Sequence, residues 1–361
     1  MRIAIVITNM CALAACGRAS FDGPGGADDV DAGADAAAIA RADAAPGDRI
    51  ACAMPLLSRG QVARVSGGEA RGLTDGVLGG FVWSGAAGDW AALDVGVGHD
   101  AIAVAWTATD APPRAYTIET SADSTDGADG TWTSALAVTD NTLPTRAHVV
   151  RFTGQRWLRV RLGGDGALYE LAVHDASHGA CDTWLFVGDS ITALAYNLSN
   201  DFSDDVHAAR GATYPVRLGI GVGGTSSQDG LDHVDAWLAA YPDVANWVVS
   251  YGSNDTGGSA QFAPAFGDRM IELVGTLQRA GKRVYVPRLP FATYPGASDV
   301  LPAYVAQIDR VIAATGATPG PDLYAYFGAH PDQLADHLHP NGDGGRAMNQ
   351  LWADVALPLY R

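Results

Sequence analysis

Four short clusters in the second half of the chain carry the residue types that acyl transfer needs. Gly188-Asp189-Ser190-Ile191-Thr192 offers a hydroxyl nucleophile. Gly221-Val222-Gly223-Gly224-Thr225 offers backbone N–H donors that a substrate can approach closely, because glycine has no Cβ. Gly252-Ser253-Asn254-Asp255 adds a side-chain amide, and Asp336-His337-Leu338-His339-Pro340 adds imidazole beside a carboxylate. A serine hydroxyl is a weak nucleophile until a base takes its proton, and neutral imidazole suits that task near neutral pH. A carboxylate three residues before His339 can accept from the second ring nitrogen and fix its tautomer. Amide donors can then hold the oxyanion that develops on the carbonyl. Singly, each cluster reads as an ordinary turn; the weight lies in four of them in one order. His337 competes with His339 as the base, and Gly223 with Gly224 as the donor. No zinc-ligand spacing, phosphate loop or dinucleotide fingerprint occurs, so no metal or organic cofactor is expected.

Such clusters need rigid elements to hold them. Short apolar runs at Trp184–Val187, Val216–Val222, Trp247–Tyr251 and Arg283–Leu289 read as strands, the first three each feeding one cluster. Between them lie helical spacings: Phe266, Met270, Leu273, Val274 and Leu277 before Gly281, then Leu301, Val305, Ile308 and Ile312 before Gly316. Met348, Leu351, Trp352 and Val355 mark a last helix. Strands alternating with helices predict a parallel sheet with helices on both faces and a site outside the carboxyl ends of its strands. Ser190 then falls where a strand becomes a helix, with its N–H at the positive helix terminus.

Upstream, from about Ile50 to His178, the period is two. Ile102, Val104 and Trp106 alternate with small residues, as do Tyr116, Ile118 and Thr120. Leu158, Val160 and Leu162 oppose Trp157, Arg159 and Arg161, and Tyr169, Leu171 and Val173 close the run. Short alternating strands between turn signals predict an antiparallel β-sandwich.

The order Ser, Gly, Asn, His at successive ends of one predicted sheet resembles that of the SGNH (GDSL-like) hydrolases. The resemblance spans residues 181–361 and implies a flavodoxin-like α/β fold and a serine esterase that passes through an acyl-enzyme on Ser190. The family pattern Asp-x-x-His-Pro selects His339 as base and Asp336 as its orienting partner. The family's oxyanion hole maps onto the Ser190 N–H, the Gly224 N–H and the Asn254 amide. One departure stands out: position 219, two before Gly221, is glycine where many members carry asparagine, so a supporting hydrogen bond is expected to be lost. Arg288, Pro290, Tyr294 and Trp237 are candidates for the pocket wall, a solvated arginine being the alternative for Arg288.

Residues 49–180 resemble discoidin-like, galactose-binding-like jelly-roll modules. The carrying residues are Leu73-Thr74-Asp75-Gly76, Trp90, Leu93-Asp94-Val95-Gly96, Tyr116-Thr117-Ile118-Glu119-Thr120-Ser121, Arg159-Val160-Arg161-Leu162 and Leu168-Tyr169-Glu170-Leu171. Such a module before an SGNH domain implies a carbohydrate esterase acting on short acyl esters, with O-acetylated polysaccharide as substrate. The alternatives are a general carboxylesterase or arylesterase, a lysophospholipase or thioesterase, and, outside catalysis, a glycan-binding lipoprotein with a vestigial hydrolase domain. A sandwich that is purely structural is the competing reading of the first module.

The remaining signals concern location. With 361 residues, 48% of them hydrophobic, two packed domains are expected. Lys and Arg number 23 against 40 Asp and Glu, a net charge of -17 that repels phosphate backbones and excludes nucleic acid as a partner. Met1-Arg2 and the apolar stretch Ile3–Ala15 read as a signal peptide, too short to span a bilayer. Leu13-Ala14-Ala15-Cys16 resembles a bacterial lipobox, which implies removal of residues 1–15, lipidation of Cys16 and a membrane-anchored, extracytoplasmic protein. The alternative is an ordinary secretory signal cleaved near the same place. Residues 16–48, rich in Ala, Asp and Gly, read as a flexible tether. With Cys11 removed and Cys16 lipidated, Cys52 and Cys181 remain to pair in an oxidising compartment or to stay as two buried thiols. A cysteine at each end of the module is usual in the galactose-binding-like family, which points to the disulfide.

Overall fold

A computed structural model describes residues 49–80 and 82–360. The signal-like segment, Cys16 and the tether lie outside the described residues.

Eleven strands come first: β1 (Ala63–Val65), β2 (Gly68–Ala70), β3 (Trp83–Gly85), β4 (Trp90–Asp94), β5 (Ala101–Thr107), β6 (Tyr116–Ser121), β7 (Thr133–Val138), β8 (Thr145–Arg151), β9 (Trp157–Leu162), β10 (Gly166–Leu168) and β11 (Glu170–Asp175). They pair antiparallel into a six-stranded sheet, β2-β1-β4-β9-β6-β7, a three-stranded sheet, β11-β5-β8, and a β10-β3 ribbon. Period-two alternation sets the core. Leu158, Val160 and Leu162 of β9 sit beside Leu93, Tyr116 and Ile118 and meet Ile102, Val104, Trp106, Leu171 and Val173 from the facing sheet. The outer face of the six-stranded sheet is covered in part by the loop before β7. Gly127 lies against Trp157 and Ala92, and Trp132 lies over the Arg159 guanidinium at 4.1 Å. Arg159 is thereby buried, paired with Glu119.

The three-stranded sheet has a second buried face. Ala103, Ala105, Ala147 and Ala172 point away from the sandwich core and pack with Val216, Leu218 and Tyr241 of the downstream domain. Alanine keeps this face flat, so the second domain can close on it. Hydrogen bonds fix the contact: Tyr241 Oη donates to the Thr145 carbonyl (2.7 Å), Arg146 donates to the Ala240 carbonyl (2.9 Å), and Val149 N donates to Asp243 (3.1 Å). A Cys52–Cys181 disulfide joins the two ends of the antiparallel region. The described residues belong to one compact unit.

The downstream domain has α/β character. Its five strands, β12 (Thr183–Gly188), β13 (Val216–Gly219), β14 (Asn246–Ser250), β15 (Arg283–Arg288) and β16 (Thr318–Asp322), are all parallel, in the order β13-β12-β14-β15-β16. Seven helices accompany them: α1 (Ser190–Tyr196), α2 (Asp201–Arg210), α3 (Ser227–Ala240), α4 (Ala263–Arg279), α5 (Ala297–Thr315), α6 (Leu323–Ala329) and α7 (Gly342–Ala356). On α4 the apolar spacing predicts the buried face, and Phe266, Met270, Leu273, Val274 and Leu277 are all buried. On α5 the buried stripe is Leu301, Tyr304, Ile308 and Val311, so Val305 and Ile312 lie at its margin. The strand expected over Val216–Val222 ends at Gly219, although Ile220 N and Val222 N still donate to the Phe186 and Gly188 carbonyls. No helix among the described residues is long and apolar enough to cross a membrane.

Candidate active site

The sheet order reverses between β12 and β14, the point at which open α/β sheets form clefts at their carboxyl ends. β12 ends at Gly188, and Asp189 begins α1 by accepting from Ile191 N (3.0 Å). Burial pushes the Asp189 carboxyl up to about 6, opposed by the Ile191 N–H and by the nearby His339. Ser190 is the first residue of α1, so its N–H has no carbonyl one turn back to bond. α1 has seven residues, too few for a large dipole; the free donor matters more than the macrodipole here.

Opposite Ser190 stands a loop closed on itself. Leu334 pairs with Pro340, and Ala335 N donates to the His339 carbonyl (2.8 Å). Within it, Asp336 accepts from His339 N (2.8 Å) and lies 2.8 and 3.1 Å from His339 Nδ1. These His339 bonds hold the Asp336 carboxyl below the usual carboxylate range. With Nδ1–H donating to Asp336, His339 Nε2 is left as the acceptor, and it lies 2.7 Å from Ser190 Oγ. His337 takes a different position. Its backbone is left-handed (φ 70°), its Nδ1 lies 2.9 Å from Thr293 Oγ1, and its carbonyl accepts from Thr293 N. It fastens the loop to the segment after β15.

The glycine and asparagine clusters are tied to the serine cluster by hydrogen bonds. The Gly188 carbonyl accepts from Val222 N (2.9 Å) and Thr225 Oγ1 (3.3 Å). Thr225 N donates to the Val222 carbonyl, closing a turn with Gly223 and Gly224 at its centre and Gly224 at φ 79°, a conformation that favours glycine. Neither central N–H has a partner among the described residues. Asn254 donates from Nδ2 to the Thr225 carbonyl (2.8 Å), which leaves the second hydrogen of its amide free. Asp255 is buried and accepts from Ser227 N, Ser227 Oγ and Arg269, which anchors this cluster to the start of α3.

Gly219 makes no side-chain hydrogen bond, and the space beside it is taken by another side chain. A side chain at position 219 would meet Asn197. Asn197 fills that space and clamps Gly221 at both ends, accepting from its N–H (3.0 Å) and donating to its carbonyl (2.8 Å). Gly221 itself allows no Cβ, which would lie 2.4 Å from Ala193 N. Asn197 lies seven residues after Ser190 on the same helical face, a spacing that could have revealed it. Arg288 is not a free pocket cation: its guanidinium is held by Asp309 (2.9 Å) and Asp322 (2.6 Å). Pro290 is buried, Tyr294 is partly buried against the core, and Trp237 stacks on His233 of α3. Among the described residues no three His, Cys, Asp or Glu side chains are grouped as a metal ion would need.

This arrangement can move a proton from Ser190 to His339 and offer amide donors to an adjacent oxyanion. Residues 186–347 match the model of the GDSL-like Lipase/Acylhydrolase family, which covers less than half of the chain. A search of curated proteins found no match. Similar solved structures include a lipase/acylhydrolase from Enterococcus faecalis, 23% identical over 48% of this chain and 93% of that one, with a TM-score of 0.40. An acetylxylan esterase from Geobacillus stearothermophilus is 16% identical over 49% of this chain and 93% of that one, with a TM-score of 0.40. The protein TesA is 22% identical over 49% of this chain and 99% of its own, with a TM-score of 0.41.

Proposed function

We propose, from the GDSL-like domain at residues 186–347, that this protein hydrolyses carboxylic esters through an acyl-enzyme on Ser190. The observation that carries the reading is the relay Ser190 Oγ, His339 Nε2, His339 Nδ1, Asp336, with contacts of 2.7 and 2.8 Å. His339 takes the hydroxyl proton as Ser190 Oγ bonds to the ester carbonyl carbon. The resulting oxyanion accepts from the Ser190 N–H, a glycine N–H of the Val222–Thr225 turn and the free hydrogen of Asn254. The bond to the alcohol oxygen then breaks, and that oxygen leaves with the proton from His339. Water next gives a proton to His339 and attacks the acyl carbon; the Ser190 ester bond breaks, Oγ recovers the proton, and the carboxylic acid leaves.

For the substrate, the resemblance of the upstream module to galactose-binding-like domains supports an O-acetylated carbohydrate. A second reading, an ester of a longer acyl chain, is favoured by the exposed Leu194 of α1 and Leu198 just after it. The test is covalent labelling by a fluorophosphonate, together with p-nitrophenyl ester hydrolysis, for wild type and Ser190→Ala. Labelling and hydrolysis are expected for wild type only. Equal behaviour of the two proteins would exclude Ser190 as nucleophile.

A further inference from the structure

Solvent-exposed apolar side chains are ordinary when scattered singly and informative when gathered. Six large hydrophobic residues are exposed among the described residues: Val77, Val97, Leu194, Leu198, Val222 and Phe262. Three of them, Leu194, Leu198 and Val222, belong to segments that adjoin the nucleophile. α1 and the residue pair after it turn Ser190, Ala193, Leu194, Asn197 and Leu198 to the same side, the i, i+3, i+4, i+7, i+8 face, while Ile191, Thr192, Ala195 and Tyr196 are buried. Leu194 thus lies one turn beyond Ser190 and Leu198 about two turns beyond. Val222 flanks this face, because Gly221 packs on Ala193 and Asn197 clamps Gly221.

The far end of the face is supplied by the antiparallel domain. The Gly76 carbonyl accepts from Asn200 (2.7 Å), and Gly79 lies against Leu198, where a Cβ would stand 3.8 Å from its Cδ1. Val77, 56% exposed, sits between those two contacts. A strip lined by Leu194, Val222, Leu198 and Val77 therefore starts at the nucleophile and ends on the other domain. At 1.5 Å of rise per residue, it runs about 12 Å from Ser190 to Leu198. None of its four side chains carries a polar atom, so these side chains offer no hydrogen bond to a sugar hydroxyl.

We infer that this strip is the acyl subsite, and that it takes an unbranched acyl chain of medium length, roughly six to ten carbons over about 12 Å. The inference rests on Ser190 acting as the nucleophile and sharpens the second substrate reading above. The antiparallel domain, through Val77, contacts the end of the chain and so takes part in selecting its length. An open strip buries each methylene only partly, so kcat/KM should rise by roughly twofold to fourfold per methylene until Val77 is reached.

The test compares p-nitrophenyl acetate, hexanoate and octanoate with the full-length protein and with Leu194→Ser, Val77→Ser and Val97→Ser, each checked for an unchanged melting temperature. Leu194→Ser should lower the hexanoate-to-acetate ratio of kcat/KM by about fivefold or more. Val77→Ser should lower the octanoate-to-hexanoate ratio by about threefold and spare the hexanoate-to-acetate ratio. Val97→Ser, remote from the strip, should move neither. Unchanged ratios in Leu194→Ser and Val77→Ser, with wild type active, would overturn the subsite and leave the ester hydrolase standing. A wild type no faster than Ser190→Ala on every ester would overturn the hydrolase reading, and the strip with it.

Discussion

Asp336 is the most exposed member of the relay, with 59% of its side chain open to water, against 26% for His339. A carboxylate in water stabilises an imidazolium less than a buried one, because solvent screens the charge and competes for the hydrogen bonds. Its larger service is geometric: it binds both the backbone N–H and the Nδ1 of His339, fixing loop and tautomer together. Asp336→Asn removes this screened charge but keeps an oxygen placed, as Oδ1 is, to accept from both His339 N and Nδ1, so it is expected to lower kcat by about 10- to 100-fold, well short of His339→Ala, which should reach about a thousandfold or more. The two rates with p-nitrophenyl acetate check this; equal losses would mean that Asp336 carries the imidazolium charge as a buried partner would. At this scale the sequence brings forward residues that the fold also brings together. Ser190, His339 and Asp336 stand together at hydrogen-bonding distance, and Asn254 reaches the turn that carries Gly223 and Gly224. Asn197 escaped notice because its significance depends on the empty space at Gly219, which only the fold brings beside it.

Among elements, α1 and the Gly221–Thr225 turn form one construction. Asn197, at the end of the helix that begins with Ser190, holds both polar groups of Gly221, three residues before Gly224. Asn197→Ala should loosen the donor turn while leaving Ser190 and His339 in contact. The expected result is a 10- to 100-fold loss in kcat with little change in KM, and retained fluorophosphonate labelling at a reduced rate. A loss confined to KM would show that the clamp serves binding instead. Strong periodicity made α4 readable, and period-two runs revealed the strands. α2 and α3 leave little trace in the sequence because their exposed faces are long and polar: α2 buries only Phe202, Ser203 and Val206, and α3 only Ser227, Gly230 and Val234. The strand β5 was legible as alternation, but Ala103 and Ala105 hid its meaning. Small residues opposite large ones read as a solvent face, whereas here they are the face on which the second domain packs.

Across the whole molecule, Glu170 reports on the junction of the domains. It is buried at the start of β11, accepts from Gly76 N (3.1 Å), and lies close to Arg59 and Asp75. Burial pushes its carboxyl up to about 8, against an ordinary 4.5, with the Gly76 N–H and Arg59 opposing and Asp75 adding to the rise. Between those two values the folded protein keeps a proton that the unfolded chain has released, so stability falls as pH rises through the window. Relative to Glu170→Gln, wild type should lose on the order of a few kcal/mol between pH 5 and pH 9, read from urea midpoints at both pH values. Parallel curves for the two proteins would show that Glu170 titrates normally.

The alanine face of β5, β8 and β11 has a consequence for how the chain came to be divided. A module that can be moved from protein to protein must be wettable on every side. This one, cut free after Cys181, would present a flat hydrocarbon wall, and the α/β half would present the matching one in Val216, Leu218 and Tyr241. The border visible in topology is thus a seam inside a single packed body. Expressed apart, the halves would meet each other, or copies of themselves, before they met a substrate.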